Sequence, residues 1–174
     1  MDTRTLGALA IVSGLIFGTL FVLFIPLSHA VWTGTLGVYA LIGTIIGAIA
    51  FAAAAVGVAS RFQDRIGAIG GLGAMVAAFG ALVSMVGFIV PLVVGTAMLT
   101  FDLARIRVVS WVIPIVHMAT SILIVGLAIA QPNLDDLGIR ALFVALMVPY
   151  LLTWIWMGVS LFRGVPAAGH APNG

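Results

Sequence analysis

IGAIGGLGAMVAAFGALVSMVGFIVPLVVGTAMLTF, residues 66–101, carries no charged side chain. As one helix its roughly 36 residues would run about 54 Å at about 1.5 Å per residue. The hydrocarbon core of a bilayer is only about 30 Å thick. The stretch is therefore one long kinked helix, a tight hairpin of two short helices, or a partly re-entrant segment. A hairpin would turn near SMVGF, 84–88, and would place Pro91 early in the next helix, where a missing N–H is best tolerated. Against it, Gly70, Gly73, Ala77, Gly80, Ser84 and Gly87 recur at spacings of three and four and stay in phase through that turn.

The flanking charges decide between these readings. SRFQDR, 60–65, precedes the stretch, and DLARIR, 102–107, closes it. With two spans between them, Arg4, Arg61, Arg65, Arg105, Arg107 and Arg163 fall on one side of the membrane and Arg140 alone on the other. With one span the arginines divide four against three. Cytoplasmic loops collect positive charge, so six spans with both termini cytoplasmic are preferred, and five remain the alternative.

Working outward, the first span covers TLGALAIVSGLIFGTLFVLFIPL and ends near Pro26, and the second covers residues 34–59. The fifth reaches about Ala130, and the last runs from about Ile139 to Phe162. The apolar run from Leu6 to Leu27 exceeds the roughly 7–15 residues of a signal peptide's apolar region, so it is read as a retained helix despite the SHA at 28–30. Residues 1–163 form a single transmembrane helical domain, and 164–174 a short flexible tail.

Composition agrees. Hydrophobic residues make up 63% of the 174 and charged residues 7%, and the mean hydropathy is +1.32. Soluble domains are about 25% charged. The expected fold is all-α, a polytopic transmembrane bundle; continuously apolar rather than alternating runs argue against a membrane barrel. All seven cations are arginine and there is no cysteine. Lysine nucleophiles, retinal-type Schiff bases, thiolate catalysis and disulfides are thereby excluded. The net charge of +2 reflects loop arginines that set orientation, and no nucleic-acid partner is expected. Rich Ala and Gly with Arg and no Lys suggest a prokaryotic source, hence an inner membrane.

Small residues form the clearest pattern. Gly43 and Gly47 frame one GxxxG, Gly67 and Gly71 another, and Gly73, Ala77, Gly80 and Ser84 continue a stripe. Such residues let helix backbones approach closely, within one chain or against other membrane subunits or a second copy. The candidate site is SWVIPIVHMATSIL, 110–123. Ser110, Pro114, His117 and Ser121 share one helix face at i, i+4, i+7 and i+11, with His117 about 15 Å deep by helical rise. Ionisable residues at that depth are functional candidates, although a neutral imidazole bonded to a neighbouring helix is the plainer reading. On the last helix Tyr150, Thr153, Met157 and Ser160 lie near one face that could meet it. His117, Tyr150 and Trp111 are the candidate cofactor-binding residues for a quinone. A bis-histidine haem is not expected, since His29 and His170 lie far from mid-membrane, and no cofactor is assigned. Trp154 and Trp156 are read as an aromatic belt or as packing against lipid and neighbours. Asp102 with Arg105, and Arg61 with Asp64, read as helix-end ion pairs. Asp135 and Asp136 read as caps of the last helix.

No HExxH, GxSxG, P-loop, paired intramembrane carboxylate or inverted repeat is present. The order of short spans, SRFQDR and DLARIR resembles, in a general way, small prokaryotic multi-pass membrane proteins, a resemblance that implies no activity. The expected function is a non-catalytic accessory or scaffold subunit of a larger membrane complex. The alternatives are a small transporter or channel using a polar seam between helices five and six, and a quinone- or haem-associated redox subunit.

Overall fold

The structure, a computed structural model, describes residues 2–24, 35–84, 89–130 and 137–163. Among them are six α-helices: α1 Thr3–Phe24, α2 Thr35–Arg61, α3 Ala68–Val83, α4 Val90–Arg105, α5 Val112–Ala130 and α6 Leu137–Phe162. Each packs on the next in chain order, and α6 closes back on α1. His29, Trp32, Asp135, Asp136, His170 and the tail 164–174 lie outside the described residues.

Residues 66–101 form two antiparallel helices, not one. Gly70 meets Asp102, Gly73 meets Gly95 and Leu99, and Gly80 meets Pro91 and Leu92, so rising numbers on α3 pair with falling numbers on α4. Pro91 sits in the first turn of α4, where its absent N–H removes no intrahelical bond. The turn itself, 85–88, lies outside the described residues. The phase of the small residues through Gly87 therefore does not mark a continuous helix. Spacing reports which face is small and is silent about where a helix stops.

Helices α1, α2, α5 and α6 are long and apolar enough to cross a membrane. Helices α3 and α4 have 16 residues each, about 24 Å by helical rise, short of a hydrocarbon core of about 30 Å. Large apolar side chains point outward around the bundle, among them Ile122, Met75, Phe79, Ile115 and Leu152, each at least 60% exposed. Soluble monomers rarely expose apolar patches of more than a few hundred Å², so this surface suits lipid.

Between α1, α2 and α6 lies an aromatic core. Trp154 is fully buried, stacks on Phe51 with centroids 3.9 Å apart, and its Nε1–H donates to Ser13 Oγ at 3.1 Å. Phe17 meets Phe51 edge-on at 5.7 Å. Of the two readings of Trp154, its burial and partners fit packing against neighbours and not the belt; Trp156 is 46% exposed. Gly43 and Gly47 of α2 face Leu20 and Ile16 of α1. Gly7 of α1 lies against the backbone of Gly158 and Phe162 of α6, and Gly14 and Gly18 of α1 face Trp154, Ile155 and Leu151 of α6.

Two helix ends are closed by named groups. Asp2 caps α1, its Oδ1 accepting the Thr5 N–H at 2.7 Å, and that bond holds the carboxyl below its usual pKa. Helix α4 ends in a Schellman arrangement, with the Val108 N–H on the Leu103 carbonyl at 2.9 Å and the Arg107 N–H on the Ala104 carbonyl at 3.0 Å. The left-handed residue is Arg107, with φ 60°, where glycine is usual and a side chain costs about 1–2 kcal/mol.

Candidate functional site

Helices α4, α5 and α6 meet along a buried polar seam. Pro114, three residues into α5, offers no N–H to the Ser110 carbonyl, and that carbonyl instead accepts the Ile113 N–H at 3.1 Å. The face Pro114–His117–Ser121 turns inward: all three are buried, and His117 is fully so. Ser110 is exposed.

His117 bridges α4 and α6. Its Nε2 lies 3.2 Å from the Tyr150 carbonyl and 2.9 Å from Thr153 Oγ1. Its Nδ1 lies 3.1 Å from Thr100 Oγ1. A carbonyl only accepts, so the network assigns the neutral ring's proton to Nε2; Nδ1 then accepts the Thr100 hydroxyl. The Tyr150 hydroxyl donates to Thr96 Oγ1 at 2.7 Å, and Thr96 donates to the Leu92 carbonyl at 2.7 Å. Ser121 Oγ lies 2.8 Å from the Val93 carbonyl and 2.6 Å from that of His117. Among the described residues no buried side-chain nitrogen or oxygen lacks a partner. An unsatisfied polar group in hydrocarbon costs several kcal/mol, so the seam is closed on itself.

Of the cofactor candidates, Tyr150 joins His117 and Trp111 does not. Trp111 is 49% exposed and meets Phe101 edge-on at 5.6 Å. Both ring nitrogens of His117 are engaged, which leaves neither turned to an axial position. Thr96 and Thr100 are the residues that sequence reasoning did not single out. Their signal was an i, i+4 threonine pair on the helix that follows Pro91.

His117→Phe keeps bulk and removes the polar ring atoms. Thr100 can turn its hydroxyl to the Thr96 carbonyl at 2.8 Å, and Thr153 retains the carbonyls of Pro149 and Tyr150 at 2.9 Å, so no hydroxyl is orphaned. The expected loss is about 0.6–2 kcal/mol, the range of interhelical polar bonds, read by denaturant titration in detergent. Loss of a bound pigment or of transport with the fold intact would refute a structural role.

A second cluster lies at the arginine-bearing end. Asp102 is buried at 1% exposure. Its Oδ2 accepts the N–H of Gly67 at 2.7 Å and of Gly70 at 2.9 Å, and its Oδ1 holds Arg105 Nε at 2.8 Å. Gly67, the N-cap of α3, has no side chain to cap with, so a carboxylate from α4 does that work. A Cβ on Gly70 would fall 2.6 Å from Oδ2, which is why the position is glycine. Arg65 donates to the Ile106 carbonyl at 3.0 Å and ties the same two turns.

Of the packing candidates, Gly73, Ala77 and Gly80 are buried against α4, while Ser84 is half-buried and bonds to the Ala81 carbonyl at 2.8 Å. No family model, curated protein or solved structure matches the chain.

Proposed function

We propose that this chain is a small integral protein of a prokaryotic inner membrane, with all six helices crossing and both termini cytoplasmic, and that it serves as a non-catalytic accessory or scaffold subunit of a larger membrane complex. The observation that carries the reading is the closed seam. Among the described residues, the buried polar groups of the seam are already bonded to one another, whereas the apolar outer faces are extensive and suit lipid and neighbouring subunits. The arginine distribution supports the orientation, and the Arg65–Ile106 and Asp102–Gly67 bonds hold the two arginine-rich turns at one end.

The functional test is native electrophoresis of membranes with and without this chain. A membrane complex that contains it and disappears on its deletion is the expected result. Transport by the purified chain alone in liposomes would overturn it. A cysteine at Thr153, clean because the chain has none, should resist water-soluble thiol reagents; rapid labelling would favour the transporter. A visible absorption band in the purified protein would favour the redox subunit. For topology, reporters after Gly164 should read cytoplasmic, and reporters at Gly87 and Asn133 external. A cytoplasmic reading at Gly87 would remove α3 and α4 from the spans.

A further inference from the structure

A groove of about 510 Å³ opens on the outer face where α4 meets α5, with Ile69 of α3 at its edge. We propose that it holds one acyl chain of an anionic phospholipid whose phosphate rests on Arg105 and Arg107. The inference uses the membrane location proposed above and is independent of the subunit role.

The walls are apolar. Val94, Met98 and Phe101 line it from α4, and Met118, Ile122 and Val125 from α5. Both stripes lead to the same end of the bundle. On α4, Val94, Met98, Phe101 and Arg105 fall at i, i+4, i+7 and i+11, so Arg105 stands one turn beyond the last groove residue on the same face. On the other wall the stripe begins at Trp111, which touches Phe101 across the mouth. Aromatic rings of this kind sit at headgroup level.

Charge at the mouth complements an anion. Arg105 commits its Nε to Asp102, yet its side chain is 54% exposed, which leaves terminal N–H groups to the surface. Arg107 follows two residues later, exposed and, among the described residues, without a hydrogen-bond or ion-pair partner for its side chain. Its guanidinium is therefore open to an anion, and guanidinium matches phosphate with paired N–H donors.

The experiment is native mass spectrometry of the delipidated full chain in dodecyl maltoside, titrated with phosphatidylglycerol or phosphatidylcholine of identical acyl chains. One phosphatidylglycerol should be retained at least about tenfold more tightly than phosphatidylcholine, since each arginine near a lipid surface contributes about fivefold in affinity. Arg107→Gln should lose about fivefold for phosphatidylglycerol alone, with an unchanged melting temperature, because its side chain holds nothing in the fold. Met118→Trp, at a partly exposed site, should fill the groove and weaken both lipids. Equal retention of the two lipids overturns the proposal. So does loss on Arg107→Gln with Met118→Trp silent, which would leave the headgroup on the turn and the groove empty of chain. A lipid-free dimer that Met118→Trp dissociates would give the groove to a second copy and overturn it as well.

Discussion

Gly80→Leu will prevent α3 and α4 from packing and will leave the chain without its native fold in detergent. A Cβ built on Gly80 falls against the backbone of Leu92 and Pro91, with the Leu92 Cα at 2.5 Å. Backbone cannot rotate aside as a side chain can, so the helices would have to part. Ordinary overpacking costs about 1–3 kcal/mol; here the loss should exceed that range, because the neighbouring contacts of Gly73 with Leu99 and of Gly95 with Ala77 open together. Gly71→Ala is the control. Nothing lies within 4 Å of a Cβ there, and alanine is favoured over glycine in a helix by about 1 kcal/mol, so it should be neutral or slightly stabilising. Denaturant titration of the purified variants checks both, and a Gly80→Leu protein as stable as wild type would refute the contact.

Asp102→Ala should be the most damaging polar substitution. It strands two backbone N–H groups at the start of α3, each costing about 1–3 kcal/mol when left unpaired. It also removes the Arg105 partner, which adds little because that arginine is half exposed and its field is screened by solvent. The expected loss is about 2–5 kcal/mol. Asp102→Asn keeps an oxygen for Gly67 and Gly70 and should lose about half as much; Arg105→Gln should lose less than about 1 kcal/mol. If Arg105→Gln matches Asp102→Ala, the ion pair rather than the cap holds this end.

The inward face of α5 was legible because a helix repeats every 3.6 residues and His117, Pro114 and Ser121 obey that period. The bond from His117 to α6 followed from the cost of a lone polar group in hydrocarbon. Its partner on α4 was not legible. The phase of Thr96 and Thr100 depends on where α4 begins, and an uncharged run of this length hides that boundary until the antiparallel hairpin is seen. Asp102 showed its local partner, three residues on, but not Gly67 and Gly70, which are 35 and 32 residues away in sequence. Trp154 was left between a belt and packing against neighbours for the same reason, because its stacking partner Phe51 and acceptor Ser13 lie on α2 and α1. Periodicity orients a side chain on its own helix and says nothing about which distant helix receives it.

The closure of α6 on α1 has a consequence for biosynthesis. Helices α2 to α5 can each dock on the helix made just before, and such local contacts form quickly. The last pairing joins the two ends of the chain. Until α6 emerges, Ser13 has no indole, Gly7 has no backbone to lie against, and His117 has no acceptor across its Nε2. A nascent chain halted before Leu137 therefore carries an open flank on both its first and fifth helices. That is the interval in which chaperones and membrane proteases would recognise it.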